Sequence, residues 1–263
     1  MVKEKEMFKG KKNFILDMDG TFYLGNKLLE GSLEFLDGLK EAGHDFLFFT
    51  NNSSQSPEVY INKLERMGCP IDHDKIITSG MVATHYLKKY YGDSRVYLLG
   101  TPALEEQFIK DGINLVEDNP DLVVAGFDTT VTYEKLTKAC SFIRNGAIFI
   151  ATHPDFNCPT EDGFIPDCGA ICAFITASTD VKPKYLGKPY TETLEFILDH
   201  LNCTKDEVVF VGDRLYTDIA IGVNHGVMSI LVLSGETKLE DVEKSQVKPD
   251  IIVDRLVDIV KYL

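Results

Sequence analysis

Several features are scarce in this sequence, and each scarcity narrows what the chain can be. Long apolar runs are missing. No window approaches the ~20 apolar residues that cross a bilayer. Phe14-Ile15-Leu16 stops at Asp17, too short for a secretory core. No membrane partner is expected, and the expected compartment is cytoplasmic. Basic charge is also short: 27 Lys and Arg stand against 41 Asp and Glu, a net charge of −14. Such a field repels polyanions, so nucleic acid is not expected as a partner, although a small anion can bind where a local positive site overrides it. The six cysteines contain no C-x-x-C pair, and a chain of this length needs no disulfide framework, so free thiols are expected. The spacing of His153, Cys158, Cys168 and Cys172 fits no common zinc pattern. Short-period repeats and low-complexity linkers are absent as well.

What is present is ordinary globular material, with 44% apolar and 26% charged residues over 263 positions. That length allows one large domain or two modest ones. Short apolar runs alternate with amphipathic stretches. Strands are predicted at 13–16, 45–49, 76–78, 95–99, 122–126, 147–152, 207–211, 227–233 and 250–253. Helices are predicted at 32–41, 56–67, 82–91, 102–110, 133–144, 170–177, 191–201, 217–224 and 255–263, and a long polar loop at 153–169. Strands alternating with helices imply a parallel sheet in an α/β architecture.

Ligands of open parallel sheets bind beyond the carboxyl ends of the strands, and chemistry gathers there. The first strand runs into Asp17-Met18-Asp19-Gly20-Thr21, the second into Thr50-Asn51-Asn52-Ser53, and the strand at 207–211 into Gly212-Asp213 with Asp218 following; Lys188 stands in a Gly-Lys-Pro turn. Each piece has a plain reading: D-x-D as a solvated turn, Thr50-Asn51-Asn52 as an Asx turn, Lys188 as a surface lysine, Asp218 as a helix-start acid. The ordered set outweighs them. Clustered oxygen ligands at Asp17, Asp19 and Asp213 suit a hard cation such as Mg²⁺.

In sequence and order, F-I-L-D-M-D-G-T-F, F-F-T-N-N-S, G-K-P and V-G-D-R-L-Y-T-D-I resemble the four motifs of the haloacid dehalogenase (HAD) superfamily of phosphohydrolases. T-N-N-S, the last motif and A-T-H-P-D-F-N-C-P resemble its type IIA branch, that of NagD and the p-nitrophenylphosphatases. The resemblance implies a Rossmann-like parallel-sheet core at 1–80 and 180–263 and an inserted α/β cap of the C2 type at 81–179, with 22–29 as a small flap. It implies Asp17 as nucleophile, Asp19 as general acid and base, and Thr50, the amide of Asn51 and Lys188 as phosphate ligands. Mg²⁺ would be held by Asp17, the backbone carbonyl of Asp19 and Asp213, with Asp218 supporting its waters. His153, Asp155 and Asn157 are the cap residues expected to read the leaving group, although the 153–169 loop could equally pack within the cap itself. The implied activity is hydrolysis of small phosphomonoesters, such as sugar phosphates or the artificial p-nitrophenyl phosphate, through an aspartyl-phosphate. Caps of this kind can also mediate homo-oligomers. A phosphotransferase or mutase using the same intermediate stays open, as does a phosphorylatable regulatory module.

Overall fold

The computed structural model describes residues 7–160 and 163–263. Residues 1–6 and two positions of the 153–169 loop, 161 and 162, lie outside the described residues. The chain divides into two compact units: one formed by 7–50, 61–77 and 194–263, the other by 51–60 and 78–193.

The first unit is built on strands β1 (Asn13–Leu16), β4 (Asp45–Thr50), β5 (Ile76–Thr78), β12 (Val208–Gly212), β13 (Met228–Val232) and β14 (Ile251–Val253), with a small antiparallel hairpin of β2 (Tyr23–Leu24) and β3 (Lys27–Leu28) after β1. The six-stranded sheet has the order β14-β13-β12-β1-β4-β5. β1 lies parallel to both β12 and β4, with Leu16 opposite Val211 on one side and Phe48 on the other. The near-continuous apolar runs NFIL, DFLFFT and VVFVG are what strands covered on both faces require, and Phe14, Leu16, Leu47, Phe48, Phe49 and Val208 are wholly buried. Non-consecutive strands thus become neighbours, and the polar residues that follow β1, β4 and β12 come out at one end of the sheet.

The second unit carries a four-stranded sheet of β6 (Val96–Leu99), β7 (Leu122–Ala125), β8 (Ile148–Ala151) and β11 (Lys184–Tyr185), in the order β11-β8-β7-β6, and a separate ribbon of β9 (Asn157–Thr160) and β10 (Gly163–Pro166). Its core packs Leu99, Val123, Phe149 and Ala151 of the sheet against Ala139 and Ile143 of helix Tyr133–Arg144 and against Cys168, Ile171, Cys172 and Ile175 of helix Cys168–Thr179. Thr101, Thr132 and Asp167 cap helix starts by accepting from backbone N–H groups of Leu104, Lys135 and Cys168, the local interaction that fixes where these helices begin.

The α/β class and the parallel sheet agree with the reading of the sequence, while several elements differ locally. Within the loop expected at 153–169, Asn157–Thr160 and Gly163–Pro166 pair as the antiparallel β9–β10 ribbon. The helix expected at 217–224 is a π-helical turn, Leu215–Ile219, followed by an α-helix only at Ala220–His225. The terminal helix is a 3₁₀ stretch, Leu256–Tyr262, and a helix not foreseen forms at Leu239–Lys244. All six cysteines are free. No helix among the described residues is long and apolar enough to cross a membrane.

Phe48 packs edge-on against Phe22 at 4.7 Å and Phe46 at 5.3 Å between ring centroids. Truncation of such a side chain removes its transfer energy and leaves a cavity. Phe48→Ala is expected to cost ~3–5 kcal/mol in chemical denaturation; a loss under ~1 kcal/mol would contradict this packing.

Candidate active site

Within the first unit, adjacent strand ends converge on a group of carboxylates. Asp17 leaves β1, with its N–H donating to Val211 O at 2.9 Å, and Asp213 leaves β12. Asp218 is brought back by the π-helical turn, where its Oδ2 accepts from Arg214 N at 3.1 Å. One carboxylate oxygen from each of Asp17, Asp213 and Asp218 lies within 4.8 Å of the others. Asp17 is half-buried and the other two are buried. Like charges this close resist joint ionisation: burial, reinforced by Asp218, pushes the Asp213 carboxyl up to about 6. This excess of buried negative charge with oxygen-only donors fits a hard divalent cation.

Neighbouring backbone completes the pocket around Asp213. Its Oδ2 accepts from Glu236 N at 2.6 Å and its Oδ1 from Thr21 Oγ1 at 3.3 Å. Gly20 sits at φ +85°, and a Cβ there would lie 2.6 Å from Asp213 Oδ2, so the turn after β1 requires glycine on both counts. Ser234 Oγ donates to Gly20 O at 2.9 Å and joins the two loops.

The Asp19 carboxylate has partners of its own. Its Oδ2 accepts from the Tyr23 hydroxyl at 3.3 Å, and Lys63 Nζ lies 3.8 Å above the Tyr23 ring centre. Burial raises the Asp19 pKa above its ordinary value, against the opposing pull of Lys63, Tyr23 and Arg214. Burial alone would loosen the Arg214 proton, but Asp17, Tyr216, Asp213 and Asp218 outweigh it and raise its pKa; the guanidinium pairs with Glu236 at 3.0 Å. Thr50 ends β4 and is 7% exposed. Thr21, Tyr23, Lys63, Arg214 and Glu236 were not foreseen as site residues, because nothing local in the sequence marks them as partners of Asp19 or Asp213.

The remaining candidates belong to the second unit. Asn51 and Lys188 are buried and bonded to each other. His153 is wholly buried, with Nε2 2.8 Å from Asp167 Oδ1 and Nδ1 3.0 Å from Thr152 Oγ1. Burial opposes its charge, yet Asp167, Cys168 and Asp155 together push it up to about 9. Asp155 is 7% exposed and accepts from Asn51, whereas Asn157, at the start of β9, is exposed. His153, Asp155 and Asp167 form a second group with donor atoms in metal-ligand range, but these atoms already bond one another and Asn51. A cleft of about 690 Å³ along β6 contains Lys135 and Lys138. Both are ion-paired, Lys135 with Asp128 at 2.8 Å and Lys138 with Glu117 at 3.1 Å.

Two family models match, one described as haloacid dehalogenase-like hydrolase over 14–114 and one as HAD-hydrolase-like over 185–259. The chain belongs to the haloacid dehalogenase-like hydrolases, on the branch of NagD and the p-nitrophenylphosphatases. It is 35% identical to the 5′-nucleotidase YutF of Bacillus subtilis across 97% of this chain and 100% of that protein. It is 38% identical to an acid sugar phosphatase of Staphylococcus aureus across 92% and 93%. Among solved structures, the 4-nitrophenylphosphatase of Thermotoga maritima superposes with a TM-score of 0.93 at 48% identity, covering 97% of this chain and 98% of that one. The chain is accordingly an enzyme of the phosphoric monoester hydrolase class.

The raised Asp213 value has a consequence for stability. Ionised in the fold, this carboxylate costs free energy; the cost is absent below its ordinary value of 3.8, grows with pH and is complete above about 6. Asp213→Asn is therefore expected to stabilise the cation-free protein at pH 7.5 by on the order of 2 kcal/mol and to leave it little changed at pH 4. Thermal unfolding in chelator at both pH values checks this; destabilisation at pH 7.5 would contradict it.

Proposed function

We propose that the protein is a Mg²⁺-dependent phosphatase that hydrolyses small phosphomonoesters through an aspartyl-phosphate on Asp17. The observation that carries the reading is the approach of Asp17, Asp213 and Asp218 to within 4.8 Å at neighbouring strand ends. Asp17, Asp213 and the backbone carbonyl of Asp19 would hold the cation, with Asp218 supporting its waters. When bound, the cation supplies positive charge that offsets the repulsion between a carboxylate and a phosphate dianion.

In the first half-reaction a carboxylate oxygen of Asp17 attacks phosphorus and the bond to the ester oxygen breaks. Asp19 gives its proton to the departing alkoxide. In the second, water attacks the phosphorus of the acyl phosphate, Asp19 takes the water's proton, and the Asp17–phosphorus bond breaks to release inorganic phosphate. One hard displacement becomes two easier ones. Asp19 must carry a proton when Asp17 carries none. Its burial, which raises its pKa, supports that division of labour. Thr50, the amide of Asn51 and Lys188 would bind the phosphoryl oxygens and supply the preorganised charge on which phosphoryl transfer depends. The segment 81–179 would act as a cap over a core of 1–80 and 180–263, with Asn157 among the residues facing the leaving group.

Sugar phosphates and similar metabolites are the substrate class we favour. The named relatives, an acid sugar phosphatase and a 5′-nucleotidase, support a phosphorylated sugar or nucleoside as the range to screen, with p-nitrophenyl phosphate as reporter.

Asp17→Asn is expected to lower kcat by on the order of 10³-fold or more with an unfolding midpoint no lower than that of the wild type. Rapid-quench experiments with ³²P-labelled substrate should place the label on residue 17, and label elsewhere would refute the mechanism. Asp19→Asn should slow turnover ~10²–10⁴-fold, and unchanged kinetics would remove its proton-transfer role. Phosphate release should stop in chelator and return with Mg²⁺; full activity in chelator would exclude the cation requirement.

A further inference from the structure

Lys188 is 3% exposed, and its backbone is gripped by a single side chain from a distant part of the sequence. The Lys188 N–H donates to Asn51 Oδ1 at 2.8 Å, and Asn51 Nδ2 donates back to Lys188 O at 3.1 Å. This two-point contact fixes both the position and the rotation of the lysine's peptide, much as one rung of a sheet does. The second proton of Asn51 Nδ2 goes to Asp155, whose two oxygens lie 3.2 and 3.4 Å away.

Those contacts occupy both amide protons of Asn51 and its carbonyl oxygen. The side chain therefore has no donor left for a phosphate oxygen. They also settle which way the amide faces. A carboxylate only accepts, so Asp155 draws Nδ2 towards itself and leaves Oδ1 for the Lys188 N–H; the flipped amide would set oxygen against oxygen and N–H against N–H. The space is fully used: Gly187 has φ +71°, and a Cβ there would lie 2.8 Å from Thr152 O and 2.9 Å from Asn51 Oδ1.

The far end of Asn51 is held too. Ser79 Oγ donates to Asn51 O. Ser79 Oγ also lies 3.3 Å from His153 Nδ1, and His153 Nε2 is paired with Asp167 Oδ1 at 2.8 Å. The partners of Asn51 are thus themselves buried and bonded.

We propose that the Asn51 side chain and Asp155 are positioning residues for Lys188: they fix its backbone, and through it the site of the ammonium group, rather than touching substrate. A lysine is a point charge on a flexible four-carbon stem, so anchoring where the stem starts is what makes its charge preorganised. Asp155 in this role orients Asn51, and His153 buttresses it, which separates both from reading the leaving group. The inference rests on the reading that Lys188 neutralises the transferring phosphoryl group.

The test is a double-mutant cycle on p-nitrophenyl phosphate hydrolysis, with Asn51→Ala and Asp155→Ala made in the wild type and in Lys188→Ala. If both residues act through Lys188, each lowers kcat by about tenfold or more in the wild type and by less than about threefold where Lys188 is already gone. Asp155→Asn, which keeps an acceptor for Nδ2, should recover most of the loss seen in Asp155→Ala, with matching unfolding midpoints. Equal fold-losses in both backgrounds would overturn the proposal. So would an effect of Asp155→Ala confined to KM and varying between p-nitrophenyl phosphate and a sugar phosphate. Absence of phosphate release by the wild type itself would instead remove the phosphatase reading, and the proposal with it.

Discussion

Mutual repulsion among three crowded carboxylates, two of them buried, is the constraint around which the first unit is arranged. Asp17, Asp213 and Asp218 come together only because β1 and β12 are parallel neighbours and a π-helical turn folds Asp218 back towards β12. The sheet supplies the energy to hold them there. Its strands are apolar on both faces, and burial of such runs is worth roughly 25 cal/mol per Å² of apolar surface, enough to tolerate a local charge excess at one end. Backbone donors temper it: Glu236 N and Arg214 N each reach one carboxylate. The stabilising part of the fold and its costly part are therefore adjacent, which is common where a site must be rigid and charged at once.

A second arrangement gives Asp17 and Asp19 different electrostatic surroundings. Asp17 stands with two other acids, while Asp19, two residues on, faces a phenol and a lysine stacked on it. One short stretch of chain thus carries two acids whose carboxylates meet different partners. The Asn51–Asp155–Lys188 contacts carry the same logic into the second unit, where the position of a charge is set by uncharged backbone atoms.

Much of this was legible in the sequence because the informative residues follow continuous apolar runs directly. NFIL ends at Asp17, DFLFF at Thr50 and EVVFV at Gly212-Asp213, so the strand ends and their chemistry could be read together. Other features lacked such a local sign. The β9–β10 ribbon has no apolar alternation: all of β10 and both ends of β9 are exposed, and Pro159 and Pro166 interrupt it. The π-helical turn differs from an α-helix by one hydrogen-bond register, which periodicity over five residues cannot resolve. Tyr23, Thr21 and Glu236 acquire meaning only through tertiary partners. Asn51 and Asp155 are 104 positions apart, and Asn51 and Lys188 137, so no spacing rule connects them.

The room left by absent side chains is as much a part of this site as the acids. A β-carbon on Gly20 would come within 2.6 Å of Asp213, and one on Gly235 within 2.0 Å. A descendant of this chain could therefore retain every aspartate, threonine and lysine described above and still be inert, having gained a single methyl group. For any sequence of this kind, an inventory of reactive residues overstates competence unless it is read together with the positions that must stay vacant.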